Sequence, residues 1–259
     1  MVYVEYSCKN LVYPFLSSSF YFLVAYILRI NKPFFSSLYK NDKGYQRMIR
    51  SIGAIYNLIM TCFSFIIFYS LSKALISEYG TMFNHNVWFR KQVIENTYIL
   101  DICWMVCHSK TLEYVDTFFV LLEGGRPICL QKFNHFGPVW SWSLLLYVDS
   151  ASVLIATLYN SLVHTFMYFY YFLSVFDKDK ILLPFKPVMT SLQHLQLAYG
   201  FYAILFDYVI KHYEGTILDA YTIPNLISLF YGLCLNLLFL HFSFVNYLSQ
   251  KKSERPKHS

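Results

Sequence analysis

Asn160 and His164 lie one helical turn apart in the apolar stretch Asn160-Ser-Leu-Val-His-Thr-Phe-Met-Tyr-Phe-Tyr-Tyr171. At about 100° per residue, Asn160, His164, Met167, Tyr168 and Tyr171 fall within roughly a third of a helix circumference. Leu162, Thr165, Phe166 and Phe169 cover the rest. Imidazole is the group here that can act as nucleophile and move protons near neutral pH. A second polar face combines Lys110, Glu113, Asp116 and Thr117, again over about a third of a turn. Lys110 can pair with Glu113 at this spacing, and Asp116 can orient a histidine, as carboxylates do in catalytic sites. Thr190, Gln193 and Gln196 form a third, neutral stripe, whose amides can donate to carbonyls. Structural alternatives stay open: an ion-paired boundary face for the charged string, and interhelical hydrogen bonding for the glutamines. His194, beside Gln193, reads as a packing or hydrogen-bonding residue.

The elements that must carry these faces are membrane helices. The chain of 259 residues is 56% hydrophobic, 20% aromatic and only 14% charged, where a soluble domain carries about a quarter charged residues. Apolar segments run at about Leu11–Ile30, Ile52–Leu75, Leu112–Leu122, His135–Val148, Val153–Val175, Leu192–Ile210 and Ile223–Leu248. The third and fourth are short of the ~20 residues a span needs, and the third must begin upstream, near Asp101. The expectation is an all-α membrane protein of about seven transmembrane helices in a single multi-span domain over residues 1–259. Imidazole, amide and charged groups are costly against lipid, so the three polar faces should converge on one enclosed cavity.

With the first loop on the cytosolic side, fifteen Lys and Arg residues fall there. Four (Lys73, Arg90, Lys91, Lys211) fall on the lumenal side. The positive-inside rule then gives a lumenal N-terminus and a cytosolic C-terminus, with the cavity near the cytosolic face. Residues 250–259 read as a short, basic, disordered tail. The first ten residues lack a basic leader, so the first segment reads as a retained span. Six cysteines (Cys8, Cys62, Cys103, Cys107, Cys129, Cys234) form no CxxC pair; Cys103 and Cys107 share a helix face and read as small apolar packing residues. No H-x-x-x-H pair or comparable ligand cluster marks a metal site, so no metal is expected.

The three strings, in this order, resemble the signatures of the fatty-acid elongases, the membrane 3-oxoacyl-CoA synthases. The matching residues are Lys110-x-x-Glu113-x-x-Asp116-Thr117, Asn160-x-x-Val163-His164-x-x-Met167-Tyr168-x-Tyr170-Tyr171 and Thr190-x-x-Gln193-x-x-Gln196. The resemblance implies six of the helices forming an inverted barrel around a substrate tunnel, in the endoplasmic-reticulum membrane. Arg255 and Lys257 near the C-terminus loosely match dibasic retrieval signals of that compartment. The implied reaction condenses a long-chain acyl-CoA with malonyl-CoA to 3-oxoacyl-CoA, CoA and carbon dioxide. It implies no cofactor, since coenzyme A thioesters are substrates, and a cationic cytosolic mouth would attract their phosphates. Membrane lipid, other enzymes of the elongation cycle and a homo- or hetero-oligomer are the implied partners, with no nucleic acid.

Elongases also carry a histidine box, H-x-x-H-H, one of whose histidines attacks the acyl thioester. Here the box falls on Gln131-Lys-Phe-Asn134-His135, followed by an atypical Gly137-Pro138. Gln131 and Asn134 replace two histidines, and neither amide is a useful nucleophile or proton shuttle. The resemblance then assigns acyl transfer and protons to His135 and His164. Lys110, Glu113 and Asp116 organise them, while Asn160, Tyr168, Tyr171, Thr190, Gln193 and Gln196 hold carbonyls or the pantetheine arm. The alternative is a catalytically silent relative that binds acyl-CoA or regulates an active partner.

Overall fold

The structure is a computed structural model and describes residues 11–82, 96–148, 150–177, 181–213, 215 and 219–245. Those residues are almost wholly helical: α1 (Val12–Ile30), α2 (Lys32–Asn41), α3 (Lys43–Tyr79), α4 (Thr97–Ser109), α5 (Tyr114–Leu122), α6 (Cys129–Tyr147), α7 (Ser152–Ser174), α8 (Lys186–Tyr213) and α9 (Asp219–Ser243). A 3₁₀ turn at Leu183–Phe185 leads into α8. Helix starts follow local chemistry. Asp42 accepts from the amides of Gly44 and Tyr45 to cap α3, and Asn96 does the same for Tyr98 and Ile99 at α4. Such caps contribute about 1 kcal/mol each.

Among the described residues, three helices are long and apolar enough to cross a bilayer: α1, α3 and Thr222–Ser243 within α9. Their outward residues, such as Phe15, Phe20, Ile55, Ile59 and Phe230, are exposed and apolar, as a lipid-facing surface requires. α7 and α8 are long enough, at 23 and 28 residues, but their polar faces dilute their hydropathy. The segment expected as one third span is instead divided into α4 and α5. Across the junction, Lys110, Thr111, Leu112, Tyr114, Val115 and Asp116 each donate a backbone N–H to the carbonyl three residues back. This is the 3₁₀ pattern, with three residues per turn. It stacks Lys110, Glu113 and Asp116 more nearly in line than the α-helical spacing assumed from the sequence.

The most extensive packing is α3 on α7, followed by α9 on α8 and on α6. The largest apolar cluster joins Leu71, Leu75, Ile102, Cys103, Cys107, Leu145, Leu146, Val153 and Leu158. Cys103 and Cys107 are fully buried there, with the Cys107 sulfur 3.4 Å from Ser143 Oγ. Gly137 explains the close approach of α6 to α9, since a Cβ at this position would overlap the Tyr231 ring. α6 continues through Pro138.

Lys211, read from the sequence as a lumenal loop charge, is buried inside α8, with Nζ 2.7 Å from Asp207 Oδ1. Its i,i+4 carboxylate partner compensates a charge that could not otherwise leave water. The basic tail at 250–259, with Arg255 and Lys257, lies outside the described residues, as do Cys8, Arg90 and Lys91.

Candidate functional site

A cavity of about 700 Å³ is lined by the N-terminal parts of α3, α6 and α8 together with the C-terminal parts of α7 and α9 and one face of α5. This volume lies within the range of small-molecule sites. Residues from all three polar faces and from the altered box reach it: Glu113, Asp116, Gln131, Asn134, His135, His164, Tyr168, Tyr171, Thr190 and Gln193. Gln131, Asn134 and His135 do so together because α6 begins at Cys129, six residues before the span expected from the sequence, which places the whole box on its first turns. Lys110, Asn160 and Gln196 do not line this cavity. Lys110 and Asn160 lie one layer behind it.

Those two complete a closed ring of hydrogen bonds. Lys110 Nζ donates to Glu113 Oε1 at 2.6 Å and to Asn160 Oδ1. Because the Asn160 oxygen is occupied, its Nδ2 faces His164 Nε2, at 3.0 Å, and must donate to it. That leaves the proton on His164 Nδ1, which lies 3.3 Å from Glu113 Oε1. The network therefore assigns His164 as a neutral Nδ1–H tautomer with both ring nitrogens engaged. Lys110 and Glu113 are only 1% and 3% exposed, and the indole of Trp142 covers the ammonium at 5.1 Å. A buried ion pair persists only where further hydrogen bonds satisfy it, and Asn160 and His164 supply them.

Asp116 has a different partner: Tyr168 Oη donates to its Oδ2 at 2.8 Å. Tyr56 packs edge-on against the Tyr168 ring, and its hydroxyl donates to the Leu112 carbonyl, tying α3 to the 3₁₀ junction. Asp116 thus orients a tyrosine rather than a histidine. Gln193 Nε2 lies 2.7 Å from Met167 Sδ, which joins the second and third motifs across α7 and α8. His194 stacks on Phe239. His135 is buried, and its Nδ1 has no hydrogen-bond partner. Among the described residues, no three His, Cys, Asp or Glu groups lie close enough to share a metal ion.

The cavity also draws on residues that motif reading passed over. Arg50, Gly53 and Asn57 line it from α3, and Lys186 and Met189 from α8. Arg50 and Lys186 are among the fifteen cytosolic basic residues that the sequence ties to topology and to a cationic mouth, without singling out either one. The i,i+3,i+7 spacing of Arg50, Gly53 and Asn57, a small and polar stripe in an apolar helix, is the signal that points to them.

The family model described as ELO: GNS1/SUR4 family matches residues 7–255. The chain belongs to this family. Among its relatives, Fatty acid elongase 3 of Trypanosoma cruzi (strain CL Brener) is 33% identical over 108 residues, 41% of this chain and 36% of that protein. Very long chain fatty acid elongase 5 of Xenopus laevis is 28% identical over 151 residues, 57% of this chain and 50% of that protein. Very long chain fatty acid elongase 2 of Mus musculus is 28% identical over 152 residues, with coverages of 57% and 51%. The chain thus spans between about a third and a half of the curated relatives it matches. The ring residues Lys110, Glu113, Asn160 and His164 all belong to the strings that carry the family resemblance, whereas Gln131 and Asn134 stand where that resemblance expects histidines.

Proposed function

We propose that this ELO-family member condenses a long-chain acyl-CoA with malonyl-CoA, forming 3-oxoacyl-CoA, CoA and carbon dioxide. The observation that carries the reading is the closed Lys110–Glu113–His164–Asn160 ring at the wall of a cavity that also receives His135. Its partners fix the ring proton of His164, while His135 keeps a nitrogen without a partner.

On this reading a ring nitrogen of His135 attacks the acyl thioester carbonyl. The C–S bond breaks, and the CoA thiolate takes the imidazole proton, while His164 stays fixed between Asn160 and Glu113 at the cavity wall. Malonyl-CoA then loses its carboxylate as carbon dioxide, and the resulting enolate carbon attacks the acyl-imidazole. The C–N bond breaks, the imidazole recovers one proton from water, and 3-oxoacyl-CoA is released. The amides of Gln131, Asn134 and Gln193 would donate to thioester oxygens where charge develops, and Asp116 holds Tyr168 in place beside them. Arg50 and Lys186 would meet the phosphates of coenzyme A. No cofactor is needed, because the reactive groups are the thioesters themselves.

The setting belongs to the same proposal: one multi-span domain of about seven helices in the endoplasmic-reticulum membrane, six of them an inverted barrel around the tunnel. The C-terminus and the cavity mouth face the cytosol. Other elongation-cycle enzymes are partners by this reading, directly or in an oligomer.

A second reading has its own support. Gln131 and Asn134 line the cavity where the family carries histidines, which fits a protein that binds acyl-CoA without turning it over. One experiment separates the two: purified full-length protein is given acyl-CoA and labelled malonyl-CoA beside the Gln131→His/Asn134→His variant. Product from the wild type supports condensation. Binding without product in the wild type, with product from the variant, establishes the silent binder.

A further inference from the structure

Thr117 closes the first family string, yet it faces away from the cavity. It lines a separate groove of about 540 Å³ between α1, α5 and the start of α6. Its hydroxyl accepts from Tyr21 Oη at 3.4 Å, and both residues are only 1% exposed, so the floor of the groove is rigid. Its walls are apolar and open outward: Phe22, Leu23 and Tyr26 line it and are more than half exposed. Arg29, in the last turn of α1, and Lys132, on the first turn of α6, both line the groove. Among the described residues neither has an ion-pair partner. Two more cations lie close to them in the chain, Lys32 and Arg126. Desolvation and the neighbouring Arg126 charge push the Lys32 ammonium below its ordinary value, so Lys32 and Arg126 lie close enough to repel one another.

An apolar groove on the outer wall of a membrane protein, lined also by uncompensated cations, is complementary to an anionic amphiphile. We propose that this groove is a binding site for an anionic phospholipid, with an acyl chain along Phe22, Leu23 and Tyr26 and its phosphate held by Arg29 and Lys132. The α5 helix forms the wall between the two sites: Asp116 lines the catalytic cavity and Thr117, the next residue, lines the lipid groove. Occupancy of the groove would therefore bear on the helix that carries the cavity carboxylates.

The test uses the full-length protein in uncharged detergent, with phosphatidic acid as probe and phosphatidylcholine of the same chains as control. Lipid adducts are counted by native mass spectrometry. Phosphatidic acid should bind in preference, and Arg29→Gln/Lys132→Gln should weaken it about thirtyfold, as expected for the loss of two membrane-surface cations. Ala25→Phe, which fills the groove without touching the charges, should also weaken it, so the proposal does not depend on one variant folding. Equal binding of the two lipids, or wild-type binding by either folded variant, overturns the proposal. So does displacement of phosphatidic acid by an equal concentration of free coenzyme A, which would assign the cations to substrate phosphates.

Discussion

Two lysine–carboxylate pairs are buried among the described residues, and their surroundings differ. Lys110 and Glu113 meet at 2.6 Å across the junction of α4 and α5. Lys211 and Asp207 meet at 2.7 Å within a single helix. The second pair lies in the last two turns of α8, about 21–27 Å of helix rise from the cavity-lining Gln193. Both follow the local spacing that lets a helix neutralise its own charge. At the first pair a histidine and an asparagine from another helix close a circuit at the cavity wall. A buried ion pair by itself is no mark of chemistry; what the proposed function rests on is that the Glu113 carboxylate also fixes a cavity-lining imidazole.

The largest expected effect lies at the cavity. His135→Ala should lower 3-oxoacyl-CoA formation by roughly 10²–10⁴-fold, while acyl-CoA binding, measured by equilibrium titration, changes only a few-fold. Loss of both to the same extent would recast His135 as a packing residue.

The next test sets the two pairs against each other. Glu113→Gln and Asp207→Asn each leave a buried ammonium without its anion, which costs about 3–5 kcal/mol, read as a lowered midpoint of thermal unfolding. Product per folded molecule should fall at least a hundredfold for Glu113→Gln and stay near wild type for Asp207→Asn. Equal loss of turnover in both would erase the distinction drawn between the pairs.

A smaller change comes from Tyr168→Phe, which takes the hydroxyl from Asp116 Oδ2 and leaves a buried carboxylate short of a donor. The expected cost is about 1–3 kcal/mol in stability, together with a several-fold loss of turnover. The least effect is at Gly53, where an added Cβ meets nothing within 4 Å. Gly53→Ala should leave stability within about 0.5 kcal/mol of wild type, whereas Gly53→Phe should fill the cavity and weaken acyl-CoA binding. Tight binding by the phenylalanine variant would place the acyl chain elsewhere.

Much of this arrangement was legible in the residues. The three polar faces could not meet lipid, and residues of all three line one cavity. The helix over Val153–Val175 was readable to within a residue at each end, because apolar content and the Asn160/His164 face agree there. The division of α4 from α5 was not legible. Lys110–Thr117 satisfies α-helical spacing, and the shift to 3₁₀ bonding carries no glycine or proline to announce it. The burial of Lys211 was missed because a lysine close to the end of an apolar stretch resembles a loop charge until its i−4 aspartate is weighed. Arg50 and Lys186 were hidden likewise, since a basic residue at a helix end serves topology and ligand equally well. Gln196 belongs to the recognised string, yet the cavity takes only Thr190 and Gln193 from that stripe.

The most direct test of the account is carbon transfer itself. Full-length wild-type protein, purified and supplied with a long-chain acyl-CoA, is incubated with malonyl-CoA labelled at the methylene carbon and at the free carboxylate in separate reactions. The account predicts methylene label in 3-oxoacyl-CoA, an equal amount of carboxylate label in carbon dioxide, and loss of both with His135→Ala. Carbon dioxide and 3-oxoacyl-CoA both absent while acyl-CoA stays bound, or undiminished product from His135→Ala, would contradict it.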